Sequence, residues 1–540
     1  MMHAGWNDSA MGAQRVEAWD NKRLVRCFAE RPTSFIALLE NAKNKHPDKK
    51  ALVFEQQRWS YQDTWHEVLR CAQALSGLGI APQDRVLLFV SNRPEFVFVL
   101  FAIQYLGAIA VPVGIREQKP GLTYIMNQCK AKAIVFDEAL HDRIPAFSEV
   151  ASLAHRIALD MPQHGNDMVS LSALCASHAQ TSITPATTQE FDTSVILYTS
   201  GTTGNPKGAM LTHTNIAHSV LHYEYGMALT HEDTSALAVP ASHVTGLIAI
   251  IAAMVHVAGA VIILREFKAA TFLAAAVEEQ MTHTLMVPAM YNLCLREPAF
   301  ASMALQRWRI GGYGGAPMPV SVIEQLAHHL PQLDLRNAYG ATETTSPTTL
   351  MPKGANSDHA DTVGMVLPCA HVLVMDDNGV EVPHGETGEL WISGPMVTPG
   401  YWDNPQATEQ SFTAGYWHSG DLGSIDAQGF VRIFDRKKDM LNRGGFKIYS
   451  VEVENCLMAM PGILEAAIVG RPCPVLGERV HAFVYAAGDK PADEAVIAHC
   501  KAALADYKVP ETITWLETPL PRNANGKVLK RQLRLQEASA

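Results

Sequence analysis

An excess of positive charge, paired cysteines and a targeting run are what this chain lacks. Lysine and arginine number 43 against 54 aspartates and glutamates, a formal balance of −11. Phosphate contacts on a nucleic acid need a basic face, so this balance argues against a nucleic-acid binder. An anionic ligand would need its positive charge placed locally. The nine cysteines (Cys27, Cys71, Cys129, Cys175, Cys294, Cys369, Cys456, Cys473 and Cys500) form no CxxC pair. An odd, scattered set is no disulfide framework, and a reducing cytoplasm fits it. The opening stretch MMHAGWNDSAMGAQRVEAWDNKR has no apolar run, so no secretory signal is expected. The closing Glu-Ala-Ser-Ala carries no lipidation box or peroxisomal tripeptide. Internal repeats, heptads and low-complexity segments are also missing.

What is there is apolar. Of 540 residues, 48% are hydrophobic and 18% charged, which excludes disorder and a fibrous repeat and predicts two to four domains around a large core. Residues 244–264 (VTGLIAIIAAMVHVAGAVIIL) hold no formal charge and are long enough to span a bilayer. The alternative is a buried helix over 246–257, a break at Ala258-Gly259 and a buried strand over 260–264. His256, the glycine break, the β-branched end and the lack of a Trp/Tyr belt favour the alternative, with no transmembrane segment.

Residues 85–90 (RVLLFV) read as a strand, 95–106 as a helix and 108–113 as a second strand. That is a βαβ unit, which implies a parallel sheet. Residues 131–136, 195–199 and 260–264 read as further buried strands. After about Gly364 short strands with Gly and Asp turns appear (VLVMDDNG, GELWISG, GFVRIFD), a smaller β-rich unit. A charged stretch, 435–439, precedes a compact α+β pattern: a helix from Ser450, strands near 466–470 and 480–485, and a helix from Glu494. The fold class is therefore α/β. A large N-terminal domain, 1–434, holds parallel βα units and the β-rich unit, and a small mobile α+β domain, 435–540, follows a hinge.

The strand 195–199 runs into Ser200-Gly201-Thr202-Thr203-Gly204-Asn205-Pro206-Lys207-Gly208. Glycines let backbone N–H groups turn toward an anion, the hydroxyls of Thr199, Ser200, Thr202 and Thr203 add donors, and Lys207 adds a cation. A plain surface turn is the bland alternative. It is not a Walker loop, because Lys207 is followed by Gly208 rather than Ser or Thr, so γ-phosphate transfer is not implied.

The stretch YTSGTTGNPKG resembles the signature of the adenylate-forming superfamily, which holds acyl-CoA synthetases, peptide-synthetase adenylation domains and firefly luciferase. The order of the later motifs carries the resemblance from Tyr198 to Lys527. Gly315-Ala316-Pro317 matches the family's adenine-facing turn, with a structural glycine turn as the alternative. Asn337-Ala338-Tyr339-Gly340-Ala341-Thr342-Glu343 matches its YGxTE motif. The resemblance implies that Tyr339 stacks on adenine, Thr342 meets the α-phosphate and Glu343 holds Mg²⁺, an ion that takes one or two carboxylates plus phosphate oxygens. Asp421 is implied to accept the ribose hydroxyls, Arg436 to reach ribose or phosphate, and Lys438 to sit at the hinge. Gly444 and Gly445 match glycines that border the pantetheine tunnel of acyl-CoA synthetases. Lys527, in PxxxxGK, matches the lysine that bridges carboxylate and α-phosphate as charge builds. Lys527, Glu343, Thr202 and His243 are the catalytic candidates. ATP, Mg²⁺ and CoA are the implied cofactor and co-substrates.

Peptide-synthetase modules carry an Asp for the α-ammonium of an amino acid. The matching residues 240–246 (PASHVTG) contain no acid, and an unpaired ammonium in an apolar pocket would be costly. His243 resembles the gate that acid–CoA ligases set between carboxylate and thiol tunnel; a core histidine is the alternative. The expected acyl walls are 222–227, 243–247, 311–315 and 344–347, neutral and glycine-rich, which suits an apolar acyl or aryl tail. The chain stops soon after Lys527, which leaves no room for a carrier domain. Trp417-His418 and Ser450-Val451 depart mildly from the family pattern. The expected activity is an AMP-forming acyl- or aryl-CoA synthetase acting on a small-molecule carboxylic acid with an apolar acyl or aryl tail, whose size the sequence does not set. The rivals are an acyl-AMP ligase loading a separate carrier protein, a luciferase-like oxygenase and a non-catalytic nucleotide or lipid binder.

Overall fold

The computed structural model describes residues 6, 11–19, 23–161, 167–178, 182–199, 205–486, 488, 490–522 and 528–538. The βα unit forms as its pattern requires. Arg85–Phe89 is an almost fully buried strand. Pro94 then opens the helix Pro94–Tyr105 at a position where a missing N–H leaves no bond unmade. Apart from Glu95 that helix is buried on every side, which is why it is apolar all round. Ile109–Pro112 returns parallel to the first strand, Arg85 opposite Ile109.

These strands belong to a seven-stranded sheet in the order Lys207–Thr212, Thr193–Thr199, Ile109–Pro112, Arg85–Phe89, Ala133–Asp137, His155–Leu159 and Val169–Ser170. It is parallel except at the Lys207–Thr212 edge, which runs antiparallel to its neighbour. A nine-stranded sheet has the order Met365–Val366, Thr349–Leu350, Asp334–Tyr339, Ile310–Tyr313, His283–Met286, Thr234–Leu237, Ala260–Ile263, Lys50–Phe54 and Gln57–Ser60. From Asp334–Tyr339 through Lys50–Phe54 its strands are parallel, so their carboxyl ends share one edge. One hydrophobic core joins helices Phe35–Lys45, Tyr61–Gly77 and Pro94–Tyr105 to both sheets.

The charge-free run 244–264 is a buried helix and strand. It is π-helical over Thr245–Ala252, α-helical over Ala253–His256 and extended over Ala260–Ile263. The wider π turn is the departure from the expected α-helix. Gly246 is needed there, because a Cβ would stand 2.2 Å from Pro240 O. Ala258 turns the chain with φ 56° between helix and strand. Among the described residues no helix is long and apolar enough to cross a membrane. All nine cysteines are free thiols.

The β-rich segment forms a smaller sheet of His371–Met375, Gly388–Ser393, Tyr416–Ile425 and Phe412–Thr413, with Val431–Arg436 paired to Tyr416–Ile425. The chain divides into two compact units: 1–372, 392–418 and 428–431 form the first, and 373–391, 419–427 and 432–540 form the second. In the second, a long hairpin of Ile463–Cys473 and Gly477–Ala486 is flanked by helices Ser450–Met458 and Asp493–Ala503. Thr512–Leu516 adds parallel to it. The last helix, Lys530–Ala538, packs Leu533 against Ala467, Val469, Phe483 and Leu520.

Candidate active site

The strands on either side of the phosphate-loop segment pair with each other. Thr193–Thr199 pairs antiparallel with Lys207–Thr212, with Thr199 opposite Lys207, and the Thr199 hydroxyl donates to Lys207 O at 3.4 Å. Ser200, Gly201, Thr202, Thr203 and Gly204 lie outside the described residues. Lys207 is half-buried, and its Nζ stands 5.0 Å from the centre of the Tyr401 ring.

The carboxyl edge of the nine-stranded sheet gathers a second group. Open parallel sheets bind ligands at this edge, where loops leave the strands. Gly315, Ala316 and Pro317 follow Ile310–Tyr313 and are exposed. Gly314 passes so close to the next strand that a Cβ would stand 2.4 Å from Ala338 O. Asn337, Ala338 and Tyr339 end that next strand, Asp334–Tyr339. The Asn337 amide donates to Thr362 O at 3.2 Å, and the Thr348 N–H donates to Tyr339 O at 2.8 Å. Gly340 is exposed, Thr342 half-buried and Glu343 buried.

His243 belongs to the same edge, six residues beyond the strand Thr234–Leu237, which lies two strands, about 10 Å at ordinary strand spacing, from Ile310–Tyr313. Its Nδ1 accepts the Thr245 N–H at 3.4 Å, and burial pushes its pKa down. The imidazole is therefore neutral at pH 7, with its proton assigned to Nε2. Asn92 fixes the loop that carries it, donating to Val239 O at 2.9 Å and Leu264 O at 3.0 Å while its oxygen accepts the Ala241 N–H at 2.8 Å.

Two groups that the motifs place far apart in sequence meet through Tyr401. This buried phenol donates to Glu343 Oε1 at 2.9 Å, and its ring carries Lys207. Burial, reinforced by the Glu343 charge, pushes its pKa up, so it is a donor at any ordinary pH. Neither Tyr401 nor Asn92 was expected from the sequence. Each is one polar residue in an otherwise unmarked loop, and the partners that tie its side chain to the site, Glu343 for Tyr401 and Val239 for Asn92, lie 58 and 147 residues away. The Gly400-Tyr401-Trp402 run, an aromatic pair after a glycine, was the only local signal.

Some of the expected acyl walls also meet. The Tyr223 and Ser346 hydroxyls are 2.9 Å apart. Arg336 donates to Gly226 O, but its guanidinium is already held by Asp334 at 2.7 Å. This cation beside the wall is thus neutralised by its own partner.

The second unit holds the remaining candidates. Asp421 is buried and Arg436 half-buried, and their Oδ1 and Nε atoms are 2.7 Å apart. Lys438 is exposed in the turn that follows the strand Val431–Arg436. Gly444 and Gly445 form the two-residue turn between Leu441–Arg443 and Phe446–Ile448, with φ of 60° and 89°. Only glycine reaches such angles cheaply, so the turn alone accounts for both glycines. Lys527 lies outside the described residues. The described residues on either side of 523–527 meet: Arg522 and Val528 form a bridge, and the Leu529 N–H donates to Pro521 O at 2.8 Å.

The long hairpin separates these last two features. The Gly444 N–H donates to Leu476 O at 2.7 Å, at the hairpin's turn. The Lys527 loop is tied to Glu465, by the Leu520 N–H at 2.8 Å and by Arg522 at 3.0 Å. From 465 to 473 an extended strand covers about 25 Å, so the Gly-Gly turn and the described residues 520–522 that precede the lysine segment stand at opposite ends of one element.

A large α/β unit with a Lys-bearing hairpin beside an aromatic and carboxylate-bearing sheet edge, together with a small α+β unit, is the architecture of an adenylate-forming enzyme. Residues 39–402 match the family model described as AMP-binding enzyme, and 452–527 match that of the AMP-binding enzyme C-terminal domain. The chain belongs to this family, in its acid–CoA ligase branch. It is 32% identical to the long-chain-fatty-acid–CoA ligase FadD13 of Mycobacterium tuberculosis, over 86% of this chain and 91% of that protein. It is 31% identical to the feruloyl-CoA synthase of an Amycolatopsis species, over 88% and 93%. The ATP-bound crystal structure of MatB from Rhodopseudomonas palustris superposes with a TM-score of 0.84 at 28% identity, over 93% of this chain and 98% of that one.

Proposed function

We propose that this protein joins a monocarboxylic acid with an apolar acyl or aryl tail to coenzyme A by way of an acyl-adenylate. A carboxylate is a poor electrophile because oxide is a poor leaving group. In the first step a carboxylate oxygen attacks the α-phosphorus of ATP, the bond to the β-phosphate breaks, and pyrophosphate leaves. In the second the CoA thiolate attacks the acyl carbon, and AMP leaves with the electron pair of the acyl–oxygen bond.

The observation that carries this reading is Tyr401 standing between Lys207 and Glu343. Lys207 and Glu343, met at one side chain, would then lie within reach of one triphosphate, beside the Gly315–Pro317 and Tyr339 edge proposed for adenine. Thr199, Ser200, Gly201, Thr202, Thr203, Gly204 and Lys207 would cradle the β- and γ-phosphates. Thr342 would meet the α-phosphate, and Asp421 and Arg436 the ribose. Lys527 would stabilise the charge that builds between carboxylate and α-phosphate.

Glu343 suits Mg²⁺. It is a buried carboxylate beside the phosphate hairpin, and among the described residues no cluster of three or more His, Cys, Asp or Glu side chains offers a protein-only cage. Mg²⁺ bound chiefly by phosphate oxygens and water needs only such a single carboxylate. When bound, the ion neutralises charge on the phosphate oxygens.

The separation of the Gly444-Gly445 turn from the Lys527 loop supports two half-reactions served by one small domain, 435–540. It would present the lysine first and the glycine turn second, moving about Lys438 against a large domain, 1–434. His243, neutral and at the sheet edge, would act as the gate between carboxylate and thiol. The pairing of Arg336 with Asp334 favours an apolar tail over a second carboxylate. We place the enzyme in the cytoplasm, where CoA and ATP are both supplied.

A panel of fatty and aromatic acids with ATP, Mg²⁺ and CoA, scored for AMP, pyrophosphate and thioester, tests the reading. Acid-dependent AMP and acyl-CoA are expected. Release of ADP and inorganic phosphate would reject it, and so would thioester formed on a carrier protein but never on CoA.

A further inference from the structure

We propose that Tyr401 is a positioning residue for adenylation, whose ring holds Lys207 and whose hydroxyl holds Glu343, keeping cation and carboxylate apart so that each meets ATP and its Mg²⁺. The proposal rests on the functional reading above and goes further than it, since that reading gives Tyr401 no task of its own in the reaction.

Five observations converge on this residue. Its hydroxyl donates to Glu343 Oε1 at 2.9 Å. Its ring centre lies 5.0 Å from Lys207 Nζ, within cation–π range. Its backbone is zipped onto the phosphate hairpin: Tyr401 bridges Ala209, the Trp402 N–H donates to Gly208 O at 2.7 Å, and the Met210 N–H donates to Gly400 O at 3.1 Å. The same segment holds the main chain of the carboxylate residue, since the Thr398 N–H donates to Glu343 O at 2.8 Å. Tyr401 is only 5% exposed, so neither ring nor hydroxyl is free to turn away.

The chemistry explains why a phenol stands here. A lysine and a glutamate brought together at a half-buried site attract each other strongly. If they closed into an ion pair, ATP binding would first have to break it. An aromatic face holds an ammonium by its quadrupole, more weakly than a carboxylate does. A neutral O–H orients a carboxylate without adding charge. Tyrosine supplies both from one rigid side chain. Phenylalanine would keep the first function and lose the second, and leucine would lose both.

These variants separate the two functions. MgATP binding without acid is measured calorimetrically across a Mg²⁺ titration, and ATP-dependent pyrophosphate exchange is measured with acid. Tyr401→Phe is expected to raise the Mg²⁺ midpoint about tenfold, with little change in KM for ATP at saturating Mg²⁺. Tyr401→Leu is expected to raise the midpoint and also raise KM for ATP by about tenfold. On a Glu343→Gln background, Tyr401→Phe should have no further effect on the midpoint, because the hydroxyl acts through that carboxylate.

A wild-type Mg²⁺ midpoint in Tyr401→Phe overturns the proposal, and so do effects that add in full on Glu343→Gln. If the Phe variant does not fold, Tyr401→His, which keeps a ring and an N–H donor, is expected to hold the midpoint within about threefold; a folded His variant that behaves like Leu overturns the proposal equally. Wild-type protein without acid-dependent exchange would instead overturn the functional reading, so the two failures are distinct.

Discussion

Arg436 Nε and Asp421 Oδ1 stand 2.7 Å apart, and the pair is held from both sides. The guanidinium also donates to Ser419 O at 3.2 Å, and the Asp421 N–H donates to the Ser419 hydroxyl at 3.0 Å. A carboxylate oriented by a guanidinium accepts hydroxyls from a fixed direction, as ribose recognition requires. Asp421→Asn should raise KM for ATP by about tenfold to a hundredfold, the worth of one or two charge-assisted hydrogen bonds. KM for the acid should not move. The penalty should be absent with 2′,3′-dideoxy-ATP, which already lacks the hydroxyls. Pyrophosphate exchange with both nucleotides checks this, and an unaltered KM for ATP removes Asp421 from the ribose site.

Gly444 and Gly445 serve a turn whatever else they do, so a bulky substitution cannot test the tunnel. Asparagine tolerates left-handed backbone angles and keeps a side chain. Gly445→Asn is expected to cost some stability, since φ of 89° strains any side chain, while the folded variant adenylates at the wild-type rate. A Cβ there meets nothing within 4 Å, so packing does not confound the result. Thioester formation should drop by about tenfold or more if the pantetheine arm passes this backbone closely. Equal rates of both half-reactions would leave the glycines with the turn alone.

The parts of this fold that were legible in the sequence are those where one physical signal acts locally. The strand 85–90 and helix 95–106 were readable because full burial demands continuous apolar residues, and Pro94 marks the helix start. The motifs at 198–208, 337–343 and 521–527 made the family legible, because each is a short run of restricted residue types and the three come in order along the chain. The π-helical turn of Thr245–Ala252 was not, since π and α share one apolar pattern and Gly246 is explained only by Pro240 O beside it. Asn92 and Tyr401 were hidden for another reason. Each works through partners brought near by two sheets, and no spacing along the chain records that.

Lys530 sits three residues beyond Lys527 and is bound on two sides, to Glu454 Oε1 at 2.5 Å and to the Ser450 hydroxyl at 2.6 Å. Burial pushes the Glu454 carboxyl up, opposed by the Lys530 ammonium. Removing one member of a buried pair strands the other charge, whereas replacing both by apolar residues is often neutral. Lys530→Met should destabilise the protein by about 2–4 kcal/mol, and Lys530→Met with Glu454→Leu should recover much of that loss. Because the pair anchors the base of the lysine loop, the single variant should adenylate poorly yet still transfer the acyl group from supplied acyl-adenylate to CoA. Lys527→Ala should show the same split without the loss of stability. Equal loss of both steps in either variant would contradict the assignment.

Two buried histidines set an acid limit on the large unit. His213 Nδ1 accepts the Phe35 N–H at 3.0 Å. His218 Nε2 accepts the Phe28 N–H at 3.2 Å, while its Nδ1–H donates to Thr214 O at 2.9 Å. Burial pushes their pKa values down to about 4 and about 3, from an ordinary 6.5. Protonation would put a charge in the core and turn an acceptor into a donor. The unfolded chain binds protons below about pH 6.5 and the folded chain does not, so their contribution is complete above that pH and is lost as pH falls toward 4. Each histidine should remove about 1.4 kcal/mol per pH unit once below its unfolded pKa. Between pH 7 and 5.5 carboxylates contribute little, because they titrate lower. His213→Asn keeps an acceptor oxygen for the Phe35 N–H and removes the titration. Its unfolding free energy in denaturant should therefore fall less steeply over that window than the wild type's, by the share of one histidine. Parallel slopes would mean that His213 is already protonated in the folded protein, and that its bond to Phe35 does not govern acid stability.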